Sequence, residues 1–264
     1  MADNQVATTQ PKQTIGQFLG GASTARFLEQ TLAEKKAEFV SNLIAMADAD
    51  ANLALCDPAA LMKCAMNATS LNLPLNKNLG YAYIIPYKGV PSFQIGYKGL
   101  IQLAIRTGAY KFINATEIKE GEIKRNKITG ELTFLGDNPE GKTIGYNAYL
   151  ELMNGFTANL YMSEAEIEQH AIRFSKMYAS DIQYKSAKSK WSDPLARPKM
   201  ALKTVLKALL GTYGLMTTEF AKAMEVDNEQ EHEPQGNRSF TDAVIVPQDE
   251  PKQQQPEQPK KIQI

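Results

Sequence analysis

The chain has little with which to build a reactive centre. Of its 264 residues only two are cysteine, Cys56 and Cys64, and two are histidine, His170 and His232. Two histidines exclude a His-rich metal cage and argue against a Cys/His zinc site. Both cysteines lie in or beside an apolar helical stretch and read as buried thiols rather than a disulfide framework. A Ser-His-Asp or Cys-His centre would have to use His170, whose charged neighbours at helical spacing mark a solvated face. No apolar run approaches the roughly 20 residues that span a bilayer, and the N-terminus lacks the apolar core of a signal peptide. The expectation is a soluble cytoplasmic protein with no membrane partner, no metal and no cofactor.

Net charge is also missing, since 29 Lys and Arg balance 29 Asp and Glu. The balance is uneven along the chain, however. Residues 1–59 hold 4 basic and 7 acidic residues, residues 60–215 hold 20 and 12, and residues 216–264 hold 5 and 10. A basic middle of +8 between acidic ends of −3 and −5 points to a polyanion as partner, with an acidic tail able to compete for the same groove or recruit another protein.

Composition fits one domain of roughly 200 residues with tails. Residues 1–25 read as a disordered arm, 26–225 as a single domain and 226–264 as a disordered, acidic, Gln- and Pro-rich tail. Within the domain, apolar spacing predicts a helix over Arg26–Ala47, and Asp57-Pro58 caps and starts another that ends before Pro74. Strands are expected at Tyr81–Pro86 and Pro91–Ile95, then a helix through Ile105 that Gly108 terminates. Alternation returns over Phe112–Lys124 and Lys127–Leu135. Asn154-Gly155 joins the alternating runs Ile144–Met153 and Phe156–Met162 as a hairpin. Ser163 and Glu166 form a capping box for a helix to about Tyr178, and a last core helix spans about Pro198–Leu210. Hairpins among helices make the fold class α+β, a small antiparallel sheet packed against several helices, rather than a doubly wound parallel sheet.

Gly136-Asp137-Asn138-Pro139-Glu140-Gly141-Lys142-Thr143 satisfies the nucleotide-binding pattern GxxxxGK[ST]. That pattern works only where a helix comes next, so that its first amides wrap a phosphate. Here the next residues are the period-two run Ile144, Tyr146, Ala148, Leu150, Leu152, which is a strand, and Asp137 and Glu140 would oppose phosphates. The segment is expected to be a polar hairpin loop. A nucleotide-dependent recombinase or helicase is the alternative reading, and an oligomeric scaffold with a basic face a third.

The chain does have a stretch, Leu73–Lys111, in which Tyr81, Tyr83, Tyr87 and Tyr97 alternate with Lys77, Lys88 and Lys98, with Arg106 and Lys111 at its end. Cations for phosphates and ring faces for bases are what a single-stranded nucleic acid needs; a tyrosine-rich sheet face with solvated lysines is the plainer reading. Gly96-Tyr97-Lys98-Gly99 stands at a strand-to-helix junction, where glycines allow close approach and helix amides and Lys98 face a phosphate. Gln94 and Tyr97 are candidates for sugar or base contact. Arg106 is either a phosphate ligand or a snorkelling helix residue. Lys199, Lys203 and Lys207 form one helical stripe that extends a basic cluster of Arg173, Lys176, Lys185, Lys188 and Lys190, with Asp181 as the acid among them. Trp191, at its end, either stacks a base or wedges into the core.

The segment LNLPLNKNLGYAYIIPY, the junction FQIGYKGLIQLAIRTG, and Trp191 with the later helix Met200-Ala201-Leu202-Lys203-Thr204-Val205-Leu206-Lys207 together resemble the RecT family of phage and prophage recombinases. The resemblance covers most of residues 60–215. It implies ATP-independent binding of single-stranded DNA, annealing of complementary strands through a duplex intermediate, assembly with copies of itself into rings or helical filaments, and a neighbouring 5′ to 3′ exonuclease as partner. Two features depart from the family's pattern: Leu202 precedes Lys203 where a second lysine is common, and Lys207 stands where arginine is common. The linker WSDPLARPKM is also rich in proline. The expected DNA contacts are Lys77, Gln94, Tyr97, Lys98, Arg106, Lys111, Lys176, Lys199, Lys203 and Lys207, with no catalytic residue.

Overall fold

A computed structural model describes residues 13–76, 78–87 and 89–231. Thr14 opens the first helix, α1 (Ile15–Leu19), through a reciprocal capping box with Gln17, and the helix buries Ile15 and Leu19. Next come α2 (Ala22–Leu32), a single 3₁₀ turn (Ala33–Lys35) and α3 (Lys36–Asp48). Apolar spacing predicts one continuous helix here. Ala33 instead adopts φ 46°, and the change of direction lets Leu28 of α2 and Phe39, Leu43 and Ala47 of α3 all reach the core. A short α4 (Ala51–Ala54) is capped by Asp50, and α5 (Pro58–Ser70) by Asp57, whose carboxylate accepts from the Ala60 amide at 2.8 Å.

The hairpin β1 (Ala82–Tyr87) and β2 (Val90–Ile95) leads into α6 (Tyr97–Arg106), which ends at Gly108 with φ 69°. Strand β3 (Tyr110–Lys119) is followed by the small hairpin β4 (Ile123–Arg125) and β5 (Leu132–Phe134), then β6 (Thr143–Leu152) and β7 (Thr157–Ser163). At Asn154-Gly155 only the glycine takes positive φ, 85°; its amide donates to Leu152 O, and Leu152 N to Phe156 O. The connection is therefore a three-residue loop with the glycine at its left-handed position, not a two-residue turn. Four helices close the described chain: α7 (Glu164–Phe174), α8 (Lys176–Tyr184), α9 (Arg197–Tyr213) and α10 (Thr218–Glu231). The Ser163–Glu166 capping box is present, but the helix stops at Phe174 and Ser175 caps a second one.

Every strand pairing is antiparallel. The order is β3-β6-β7 in one sheet, with β1-β2 and β4-β5 as separate pairs, so the fold is α+β. Helix α9 buries Ala201, Val205, Leu206, Leu209 and Leu210 against the Tyr146, Ala148, Leu150 and Leu152 face of β6. The β1-β2 hairpin turns Phe93 and Ile95 toward α5 and α10.

Structure extends beyond both limits set for the domain. Residues 15–19 and 22–25 belong to α1 and α2, because Ile15 and Leu19 have core partners that a polar composition concealed. At the other end α10 runs past residue 225, and Phe220, Ala223, Met224 and Asp227 are buried. The remainder of the expected arm and tail, residues 1–12 and 232–264, lies outside the described residues.

Candidate nucleic-acid interface

The junction from β2 to α6 is built by backbone packing. Tyr81 O accepts from Gly96 N at 2.8 Å, and a Cβ at Gly96 or Gly99 would collide with the Gly80 and Tyr81 carbonyls. These glycines admit the chain's own neighbouring loop rather than a ligand. The aliphatic stem of Lys98 runs beside Gly80, and its exposed ammonium stands at the start of α6. Tyr83 pairs with Gln94 across the hairpin, and Gln94 donates to the Tyr87 hydroxyl at 3.2 Å.

Because Tyr81 bonds inward to Gly96, alternation leaves the backbone amides of Ala82 and Ile84 on the free edge of β1. A cleft of about 200 Å³ runs along that edge, lined by residues 82–86, Met46, Asp50, Leu75 and Lys190. Lys190 reaches it from a loop more than 100 residues later in sequence. The buried Asp181 carboxylate holds this loop. It accepts the hydroxyls of Ser186 at 2.5 Å and Ser192 at 2.6 Å, and the amides of Lys188 and Ser189 at 3.0 and 2.7 Å. The two serine hydroxyls, then the amides, hold the carboxyl well below the ordinary aspartate range. In sequence Asp181 offset a basic cluster; in the fold it shapes the loop that displays Lys185, Lys188 and Lys190. Only its position amid serines and glycine-free polar chain hinted at this.

Trp191 is buried at 6% exposure beside Tyr178, which settles it as a core residue. Arg197 packs over both rings and bonds Glu164 at 2.6 Å, Glu168 at 2.7 Å and Tyr178 at 3.1 Å. Burial opposes its charge, but those partners outweigh burial and raise its pKa. Nearby, Tyr146 is pushed up to about 12 by burial and by the charge of Glu164.

The structure sorts the expected contacts. Tyr97 is half-buried against the core with its hydroxyl engaged by the Ala115 backbone, and burial raises its pKa; it ties α6 to β3. Arg106 donates to Leu71 O at 2.7 Å and Asn72 O at 3.0 Å, so it closes the C-terminal end of α5. Lys111 is exposed and paired with Glu151 at 2.6 Å. Lys176 and Lys199 are exposed on the first turns of α8 and α9. Lys203 and Lys207 are not surface groups: each is 8% exposed and paired with Asp227, which is fully buried. The stripe was right in spacing, but α10 covers two of its three members. Lys77 lies outside the described residues. Gln94, Lys98 and, from the basic cluster, Lys190 are the residues brought to the hairpin.

The nucleotide-like segment crosses from β5 to β6, and its last residue, Thr143, is already the first of strand β6. Asn138 N donates to Glu122 Oε1 at 3.0 Å, Lys119 bonds Pro139 O, and the Thr143 hydroxyl is taken by Glu117. Carboxylates occupy the donors that a phosphate cradle would need, and the strand leaves no helix there to complete one. Among the described residues no group of three or more His, Cys, Asp or Glu could hold a metal, and no helix is long and apolar enough to cross a membrane.

The RecT family model matches residues 37–241, a span that takes in the hairpin, the Asp181 loop and α9. The chain belongs to the RecT family. It is also 39% identical over 226 residues to the uncharacterized protein YqaK of Bacillus subtilis (strain 168), covering 85% of this chain and 75% of that protein. Membership places this RecT-family chain among recombinases that act on single-stranded DNA.

Proposed function

We propose that this RecT-family protein binds single-stranded DNA and anneals it to its complement without nucleotide hydrolysis, assembling with further copies into a ring or filament. The observation that carries the reading is the convergence on one hairpin of Lys98, the Lys190 loop fixed by Asp181, and the unpaired edge of β1. Lysines and edge amides suit phosphates, whereas Tyr83, Tyr87 and Gln94 suit sugars and bases. None of these contacts selects a sequence, so pairing specificity is left to the two DNA strands. The partners are single-stranded DNA, the annealed duplex intermediate, and a 5′ to 3′ exonuclease that would supply the single strand.

The test is annealing of two complementary labelled oligonucleotides, monitored by fluorescence, with nucleotide omitted throughout. Acceleration over the spontaneous rate is expected. Acceleration that appears only with ATP would revive the nucleotide-dependent alternative.

A further inference from the structure

Helix α10 lies across the lysine row of α9. Lys199 is exposed, while the next two members of the row, one and two turns on, are buried beneath α10. There they meet one carboxylate: Lys207 Nζ lies 2.5 Å from Asp227 Oδ2, and Lys203 Nζ lies 3.3 Å from the same group. The third donor is the Ile95 amide, on the free edge of β2, at 2.8 Å from Asp227 Oδ1. Burial alone would raise the Asp227 pKa, but the two lysines outweigh it and hold the group ionised.

Two ammonium groups and a backbone amide around two oxygens of one anion is a donor set that a phosphodiester also satisfies. The anion that fills it belongs to the acidic segment 216–264, with 10 acidic residues against 5 basic. The row continues outward to the exposed Lys199, so the buried pair adjoins the basic surface of the same helix one turn away. Helix α10 is anchored earlier, by Phe220, Ala223 and Met224. Beyond that anchor, among the described side chains, the turn that carries Asp227 adds only the half-buried Val226 to the core, so it is the part of the helix placed to open locally.

We propose that Lys203, Lys207 and the Ile95 amide form a phosphate site for single-stranded DNA, which Asp227 occupies in the free chain as a displaceable stand-in for phosphate. The proposal rests on the reading that the protein binds single strands. Because two anions compete for one set of donors, DNA weakens the Asp227 contact by the same factor as Asp227 weakens DNA.

The experiment is hydrogen exchange on the unmodified chain, free and saturated with an oligo-dT strand at low salt. Faster exchange over residues 225–231 on binding, with residues 218–224 unchanged, is expected. Bound oligo-dT with 225–231 equally or more protected overturns the masked site and leaves the annealing function standing; absence of oligo-dT binding at low salt removes both. In parallel, Asp227→Asn should bind oligo-dT about fivefold or more tightly, the lower end of coupling between linked sites. A folded Asp227→Asn protein that binds no more tightly than wild type contradicts the proposal. Should that variant not fold, the exchange measurement on the unmodified chain decides alone.

Discussion

Ser192 donates its hydroxyl to Asp181 Oδ2 at 2.6 Å, and with that bond closes the loop that sets Lys190 beside β1. Asp181 has a depressed pKa in the folded chain, caused first by Ser186 and Ser192. A depressed folded pKa stabilises above the unfolded value and loses its contribution as pH falls through the folded value. Asp181→Asn should therefore melt below wild type at pH 7, and the gap should shrink only once pH drops beneath the ordinary aspartate range. Thermal unfolding at pH 7 and pH 3 checks this. An equal gap at both values would show that packing, not charge, is what the substitution removed.

Lys98 and Lys190 are expected to contribute phosphate contacts without supporting the fold. Each glutamine variant should lower the salt slope of single-strand binding by about 0.7 and leave the melting temperature in place. Salt titrations with oligo-dT, beside circular dichroism melts, measure both quantities. Unchanged slopes in two folded variants would move the interface away from this hairpin.

Arg106 is expected to behave in the opposite way. Its bonds to Leu71 O and Asn72 O close α5, so Arg106→Gln should cost about 1 kcal/mol of stability and leave the salt slope unaltered. Chemical denaturation measures the first and an oligo-dT salt titration the second. A reduced slope at full stability would return Arg106 to the DNA contacts.

Lys142→Ala should anneal DNA as wild type does, and neither protein should hydrolyse ATP, because the loop before β6 turns its donors toward Glu117 and Glu122. DNA-stimulated ATPase activity that vanishes in the variant is the outcome that would refute this.

Phe220 is 1% exposed on α10, so Phe220→Ala should destabilise the chain by about 3 to 5 kcal/mol, as large-to-small changes in a core do. Urea unfolding gives the value. A loss below about 1 kcal/mol would mean that α10 contributes little to the core.

The sequence by itself determined the fold class, the hairpin at Asn154-Gly155, the caps at Asp57 and Ser163, and the failure of the GxxxxGK[ST] segment as a phosphate loop. Each depends on near neighbours: a capping side chain reaches three residues, and alternation over Ile144–Leu152 declares a strand wherever it packs. The lysine spacing on α9 was equally legible, and so was the basic character of residues 60–215. Only the tertiary structure decided which cations face water. Lys203 and Lys207 are buried because Asp227, twenty or more residues later, lies on a helix whose anchor Phe220 finds a core that local composition does not reveal. Lys190 faces β1 because Asp181 folds its loop back, and Tyr97 is half-buried because its hydroxyl is drawn to the Ala115 backbone on β3. Periodicity reports the face of an element, whereas exposure depends on what the rest of the chain lays over that face.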